Sequence, residues 1–187
     1  MGGAFTSSML SLVIGGARSG KSRFAQSLCS NSRQVIYLAT ARIEDAEMAA
    51  RIARHRRDRP ADWVSIEEPL HIGAAVEDHA GNCEFLLLDC LTLWLSNFCW
   101  EHRDATGDTV HDSVSVEVAR ITAASGPSHL VVVTNELGCG LVPESPLGRS
   151  FRDLQGWVNQ EVARSADWVY HVVAGIPVAI KQPGGCR

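Results

Sequence analysis

The chain has 187 residues, of which 45% are hydrophobic and 20% are charged. This length and composition predict one globular domain over residues 1–187, with residues 1–10 as a frayed lead-in. A formal net charge of −4 argues against nucleic acid as a partner, because broad nucleic-acid binding needs a surplus of lysine and arginine. The sequence has no apolar run long enough for membrane insertion, and its six cysteines without a C-x-x-C pair favour reduced thiols in a cytoplasmic protein.

Apolar runs of strand length alternate with helical patterns along the chain. The predicted strands are, in chain order, 12–14, 35–39, 63–66, 85–89, 130–134, 168–173 and 176–180. The predicted helices are 23–28, 45–58, 70–79, 91–100, 110–124 and 146–166, with 104–108 as a polar loop. Uniformly apolar strands that alternate with helices predict an α/β fold, in which helices flank a mostly parallel sheet and a β-hairpin forms the C-terminus.

The first predicted strand leads into a glycine-rich motif and then into a helix. Residues 15–22 match G-x-x-x-x-G-K-[ST], the phosphate-binding loop of RecA-like P-loop NTPases. Glycines let backbone N–H groups turn toward phosphates, Lys21 adds a positive charge, and Ser22 offers a hydroxyl to Mg²⁺. A glycine turn with a solvated lysine is the plainer alternative. The motif predicts a nucleotide site formed by Gly15, Gly16, Ala17, Arg18, Ser19, Gly20, Lys21 and Ser22.

Polar residues follow several of the predicted strands at the point where each strand ends. In a parallel sheet these ends meet at one edge, where ligands bind. Asp89 closes an apolar strand and is predicted to bind Mg²⁺, although a helix-capping role is the alternative. Thr40, Asn135 and Glu136 occupy similar positions. Each of these three is explained as well by a turn or cap as by contact with substrate.

Five arginines and one histidine fall within residues 51–59 of this acidic chain. One interpretation of this arginine-rich segment is a solvated helix face. The other is a clamp in which arginines bind triphosphate oxygens while His55 acts as an acceptor or nucleophile. The sequence leaves both interpretations open.

With these motifs assembled, the chain resembles the bifunctional adenosylcobinamide kinase/adenosylcobinamide-phosphate guanylyltransferases of cobalamin biosynthesis. The similarity extends from residue 12 to residue 181, nearly the whole chain. It rests on the motifs at 15–22, 37–41, 47–52 with His55, 59–60, 133–138, 140–144, 151–153, 158–160 and 173–178. The loop at 15–22 and the Arg-Ile-x-x-His pattern ending at His55 are together more specific than a P-loop alone.

The resemblance implies two reactions. GTP or ATP phosphorylates adenosylcobinamide, and GTP then guanylylates the enzyme on a histidine, from which GMP passes to the corrinoid phosphate. The family histidine corresponds to His55; some relatives have two adjacent histidines here, whereas this chain has Arg54 before His55. Further nucleotide contacts are implied at Ala39, Thr40, Ala41, Arg56, Arg57, Asp58, Arg59, Glu67 and Asp89. The resemblance also implies a homotrimer with the nucleotide near subunit boundaries.

Two alternatives remain beside this resemblance. One is a P-loop kinase of another small metabolite, in which His55 is only structural. The other is a nucleotide-dependent switch or a DNA-stimulated ATPase, which the acidic balance disfavours. The sequence also leaves open the preferred kinase donor, the corrinoid docking site and the roles of Arg149 and Arg152.

Overall fold

The structure is a computed structural model that describes residues 9–42, 45–57, 59–124 and 127–184. The strands are β1 (Met9–Gly15), β2 (Val35–Ala39), β3 (Val64–Glu67), β4 (Phe85–Asp89), β5 (His129–Asn135), β6 (Trp168–Val173) and β7 (Ile176–Lys181). The helices are α1 (Lys21–Cys29), α2 (Ala46–Arg57), α3 (Ile72–His79), α4 (Leu91–Glu101), α5 (Gly107–Ala123) and α6 (Pro146–Ser165). None of the helices in these ranges combines the length and apolarity needed to cross a bilayer.

The seven strands found within the described residues belong to one sheet, in the order β3-β2-β4-β5-β1-β6-β7. The first six strands of this order run parallel, and β7 pairs antiparallel with β6 as a hairpin. The predicted α/β fold with a mostly parallel sheet and a C-terminal hairpin is therefore confirmed. This order places β5 between β1 and β4, so the ends of these three strands form one continuous edge.

Neighbouring side chains on the central strands alternate between two buried clusters, one on each face of the sheet. Leu12, Leu38 and Leu88 pack on one face, together with residues of α3 to α6. Val13 and Leu87 pack on the other face, against α1. Burying an aliphatic side chain of this size contributes about 1.5–3 kcal/mol to the stability of the fold. Because both faces of the central strands are buried, their sequences are continuous apolar runs.

Two elements, β1 and α5, begin three residues before their predicted starts. Met9 and Leu10 are not a frayed lead-in, because they pair with the first residues of β5 and Leu10 is buried. The predicted loop at 104–108 ends early, since α5 begins at Gly107. The Thr106 hydroxyl accepts a hydrogen bond from the Thr109 N–H and so caps the helix, which begins three residues before the predicted start.

A buried polar contact joins the beginnings of β1 and β5. The Ser11 hydroxyl lies 2.8 Å from Nε2 of His129. Burial lowers the pKa of His129, and the smaller opposing effect of the Asp167 carboxylate does not reverse that shift. The folded protein therefore holds this imidazole neutral at pH values at which the unfolded chain already binds a proton.

We expect the free energy of unfolding of His129→Gln to fall less on acidification than that of the wild type. A histidine with a lowered folded-state pKa favours unfolding as the pH falls below the unfolded value of about 6.5. Glutamine stays neutral and can still hydrogen-bond Ser11. Urea unfolding at pH 7.5 and 5.5 measures the difference, with His71→Gln as the exposed control. Equal losses in wild type and His129→Gln would contradict the expectation.

Candidate nucleotide site

The loop at residues 15–22 connects the end of β1 to the start of α1. A Cβ on Gly15 would lie 2.6 Å from the Val172 carbonyl oxygen, so only glycine fits between β1 and β6. Gly20 has φ 93° and Arg18 has φ 57°, both in the left-handed region. Gly20 is also the N-cap of α1 and offers no side chain to cap the helix. The first N–H groups of α1 are thus left for an anionic ligand, as the motif predicts.

The C-terminal hairpin supports this loop from the side. The Gly175 N–H at the hairpin turn donates a hydrogen bond of 2.8 Å to the Ser19 carbonyl oxygen. Gly175 itself has φ 81°, a conformation that the tight turn requires. The hairpin therefore takes part in shaping the phosphate-binding loop.

A cleft of about 500 Å³ opens beside the loop, at the edge formed by the strand ends. Four of its lining residues are cationic and two are carboxylates, a balance that suits a polyphosphate accompanied by a metal ion. Lys21 reaches the cleft and donates a hydrogen bond of 3.1 Å to the Gly16 carbonyl oxygen. The lining comprises Lys21, Ser22, Tyr37, Ala39, Ala41, Arg42, Ile52, Arg56, Arg59, Glu67, Pro69, Asp89, Cys90, Leu93 and Asn135.

The strand-end carboxylate predicted to bind metal lines this cleft together with the Ser22 hydroxyl. Asp89 has one oxygen, Oδ2, engaged by the Tyr37 hydroxyl at 2.8 Å. Within the described ranges, no three histidine, cysteine or acidic side chains cluster as ligands. One carboxylate and one hydroxyl fit Mg²⁺, a hard cation that usually takes its other ligands from phosphate and water. The donor set therefore suits the predicted cation.

Tyr37 is a cleft residue that sequence reasoning did not select. Its side chain is 2% exposed, and the Arg59 guanidinium lies 3.4 Å from the centre of its ring. Burial raises the pKa of Tyr37 well above its ordinary value, and the neighbouring Asp89 carboxylate adds to that effect. The phenol is therefore held protonated as a hydrogen-bond donor. It begins the motif at 37–41, but its place in an apolar strand predicts a core residue and gave no signal of a role in the cleft.

Thr40, which is predicted to contact nucleotide, lies next to cleft residues but bonds through its side chain to the backbone. The side chain is fully buried and absent from the cleft lining. Its hydroxyl donates to the Cys90 carbonyl oxygen at 2.8 Å and accepts from the Cys90 N–H at 2.9 Å. Thr40 thus ties β2 to the residue after Asp89, while its neighbours Ala39 and Ala41 do line the cleft.

The arginine-rich segment divides between the cleft and the surface. Ile52 and Arg56 of α2 line the cleft, and Arg56 forms an ion pair with Glu67. Arg57 is exposed on a shallow depression outside the cleft. The backbone of His55 lies in α2, three residues after Ile52, and its side chain is outside the described part of the structure. The predicted contact at Asp58 also falls outside the described residues.

Asn135 lines the cleft at the end of β5, as its strand-end position suggested. Its N–H donates to the Thr92 hydroxyl at 2.9 Å, and the Asn159 side-chain amide donates to its carbonyl oxygen at 3.0 Å. Asn159 also accepts a hydrogen bond of 2.7 Å from the Thr134 hydroxyl. This buried network fixes the end of β5 against α6, and it joins two motifs of the resemblance, 133–138 and 158–160, whose contact the sequence alone does not predict.

The remaining residues of undecided role shape the loop between β5 and α6. Glu136 donates its N–H to the Gly15 carbonyl oxygen at 3.1 Å, which joins this loop to the phosphate-binding loop. Arg149 donates to the carbonyl oxygens of Pro143 and Glu144 at 3.1 and 2.6 Å. Arg152 pairs with its neighbour Asp153 at 3.4 Å. Glu136 and Arg149 thus hold the loop closed through backbone groups.

Comparisons with known proteins agree with this geometry. Residues 11–180 match the family described as cobinamide kinase / cobinamide phosphate guanyltransferase. The chain is 42% identical over 181 residues to the bifunctional adenosylcobalamin biosynthesis protein CobU of Escherichia coli, covering 92% of this chain and 100% of that protein. It is 41% identical over 178 residues to the bifunctional adenosylcobalamin biosynthesis protein CobP of Pseudomonas aeruginosa, covering 92% of this chain and 98% of that protein.

Among solved structures, an ATPase from a bacterial type III secretion system matches with a TM-score of 0.57 at 12% identity. The match covers 91% of this chain and 56% of the ATPase chain. At this identity the likeness concerns the fold alone, and it agrees with the predicted P-loop NTPase fold.

Proposed function

The chain belongs to the cobinamide kinase / cobinamide phosphate guanyltransferase family and is an enzyme, and we propose that it catalyses both reactions of that name. It phosphorylates adenosylcobinamide with GTP or ATP and then transfers GMP from GTP to the corrinoid phosphate. Lys21, Asp89 and Arg56 line a single cleft, and this shared lining supports assigning both reactions to one nucleotide site.

In the kinase reaction, the corrinoid hydroxyl oxygen bonds to the γ-phosphorus, the bond to the β–γ bridging oxygen breaks, and the hydroxyl proton is lost to solvent. Catalysis of phosphoryl transfer depends mainly on positioning and charge neutralisation. Lys21 and the first N–H groups of α1 bind the phosphates, while Ser22 and Asp89 hold Mg²⁺. The cation neutralises negative charge on the phosphate oxygens when it is bound.

In the guanylyl-transfer reaction, a nitrogen of His55 bonds to the α-phosphorus of GTP and pyrophosphate leaves. A phosphate oxygen of the corrinoid then attacks the same phosphorus, and the bond to histidine breaks. Two displacements replace one difficult step. The position of His55 in α2 supports this role, because Ile52 and Arg56 bring that helix to the cleft. Arg56 and Arg59 neutralise the pyrophosphate as it leaves.

We also propose that the chain forms a homotrimer and works in the cytoplasm. Ile176, Val178 and Ile180 alternate along β7 and are all more than half exposed, which supports burial against another subunit. The cytoplasmic location is supported by the unpaired thiols of Cys29, Cys83, Cys90, Cys99 and Cys139.

Light scattering tests the assembly, with a solution mass of three chains as the expected result. Val178→Glu is expected to give smaller species that keep the wild-type circular dichroism spectrum, because a carboxylate on this face opposes its burial. A wild-type mass of one chain would contradict the proposed trimer.

Labelled nucleotides test the two reactions separately. With adenosylcobinamide and γ-labelled GTP or ATP, we expect label in the corrinoid. With α-labelled GTP, we expect label first in the protein, as an acid-labile and alkali-stable adduct, and then in the corrinoid. Label from the γ position alone would reduce the function to that of a kinase, and no label in the corrinoid from either position would overturn the proposal.

A further inference from the structure

The Tyr37 side chain connects two groups of the nucleotide cleft that are far apart in sequence. Its hydroxyl donates to Oδ2 of Asp89 at 2.8 Å. The Arg59 guanidinium covers its ring at 3.4 Å from the centroid. Arg59 is itself held by the Ser65 hydroxyl at 3.2 Å. Tyr37 therefore lies between the arginine-rich segment and the carboxylate proposed to bind metal.

The contact with Tyr37 limits how Asp89 can turn. One carboxylate oxygen is committed to the phenol, so the other oxygen remains for a ligand in the cleft. A neutral phenol suits this role because it donates a proton in the hydrogen bond without adding charge. Groups that hydrogen-bond to a metal-ligating carboxylate fix its orientation, and their loss commonly weakens metal binding about 10–100-fold.

Arg59 covers the ring of the tyrosine that makes this hydrogen bond. Its planar cation covers the ring face, and the tyrosine is 2% exposed. A hydrogen bond to a charged acceptor is stronger and more directional when solvent is excluded. The contact between Tyr37 and Asp89 is thus made by a buried side chain of the cleft and not by two exposed surface residues.

We propose that Tyr37 is a positioning residue for the divalent cation, acting through Asp89, with Arg59 as its cover. This inference rests on the proposed function, in which Asp89 and Ser22 hold Mg²⁺. Tyr37 touches neither nucleotide nor corrinoid in this role. Its effect is to present one oxygen of Asp89 to the metal.

Tyr37→Phe tests the proposal because it removes only the hydroxyl and retains the ring beneath Arg59. Mn²⁺ binding to the GTP-loaded protein, measured from the free-Mn²⁺ signal in electron paramagnetic resonance, is expected to weaken about 10-fold or more. GTP affinity without metal is expected to change less than about twofold, since phosphate contacts are kept. Tyr170→Phe removes the hydroxyl of the other of the two tyrosines and is the matched control. Unchanged Mn²⁺ affinity in Tyr37→Phe would overturn the proposal.

A second measurement needs no change at Tyr37. In Tyr170→Phe, Tyr37 is the sole tyrosine, so a sample labelled with ¹³C at tyrosine Cζ gives one tyrosine resonance. Adding Mg²⁺ to the GTP-loaded variant is expected to shift this resonance, because its partner Asp89 becomes a metal ligand. An unmoved resonance at saturating Mg²⁺ would overturn the proposal. If the wild-type protein bound Mn²⁺, and Tyr37→Phe weakened that binding, while the wild type did not phosphorylate the corrinoid, only the proposed function would be overturned.

Discussion

Replacing Lys21 by methionine is expected to lower the kcat of corrinoid phosphorylation about 10³-fold. Methionine is similar in length but has no charge, so the triphosphate loses a cation that the loop places beside it. Removing one preorganised group that stabilises transition-state charge typically slows a reaction about 10²–10³-fold. Guanylyl transfer is expected to fall as well, because both reactions use the same bound GTP. Initial rates at saturating nucleotide, measured for each reaction, give both values.

Lys181→Met is the matched control, since Lys181 is the chain's other lysine. Its ammonium group donates to the carbonyl oxygens of Ala163 and Arg164 at 2.9 and 2.8 Å, at the end of α6. This variant is expected to lose some stability but to keep both activities within about threefold, because a helix-end contact contributes about 0.3–1 kcal/mol. If Lys21→Met retained more than a tenth of wild-type kcat while folded, the phosphate-binding role of the loop would be contradicted.

The architecture was predictable because each central strand is apolar on both faces. Runs such as 85–89 can be stable only inside a covered sheet, and β4 has the predicted bounds. The end of that strand also pointed to Asp89 as a candidate site residue, because a carboxylate that follows a buried apolar strand requires a polar partner or solvent. The predicted start of α5 was wrong because the Thr106 cap determines where the helix begins, and the pattern of apolar residues does not reveal that cap.

The cleft was less predictable because contacts between segments that are distant in sequence determine which side chains line it. The partners of the Thr40 hydroxyl belong to Cys90, fifty residues later in the chain. Tyr37 looks like an ordinary core residue until Arg59 and Asp89 are brought to it by the pairing of β2 with β3 and β4. The phosphate-binding loop could be predicted from the sequence because all its parts, one strand, one turn and one helix end, are consecutive in the chain.

The arginine-rich segment shows why the sequence alone left two interpretations open. Arg56 lines the cleft, whereas Arg57 does not, and both residues are exposed, so one helix is compatible with a clamp and with a solvated face. Neighbouring positions on a helix differ by about 100° in direction, and charge content does not distinguish them. The register of α2 against the cleft decides which arginines can bind phosphate.

His55→Ala is expected to separate the two activities. Guanylyl transfer is expected to fall at least about 10³-fold, because removal of a nucleophile eliminates the covalent route. Phosphorylation of the corrinoid is expected to stay within about threefold, since Lys21, Ser22 and Asp89 are unchanged. Incubation with α-labelled GTP should leave the variant unlabelled, while the wild type carries acid-labile GMP. Rates of γ- and α-label transfer to the corrinoid, measured in parallel, give the two effects.

Arg54→Ala is the matched control for this separation, because Arg54 is the adjacent residue of α2 and is exposed. It removes a side chain from the same helix without touching the cleft lining, so both activities should remain within about threefold. Parallel loss of phosphorylation and guanylyl transfer in His55→Ala would mean that α2 positions the nucleotide and that His55 is not the acceptor. Retained covalent labelling would place the acceptor on another residue. Only the separated result is compatible with a single cleft in which phosphoryl transfer needs the loop and Asp89, and guanylyl transfer also needs the helix.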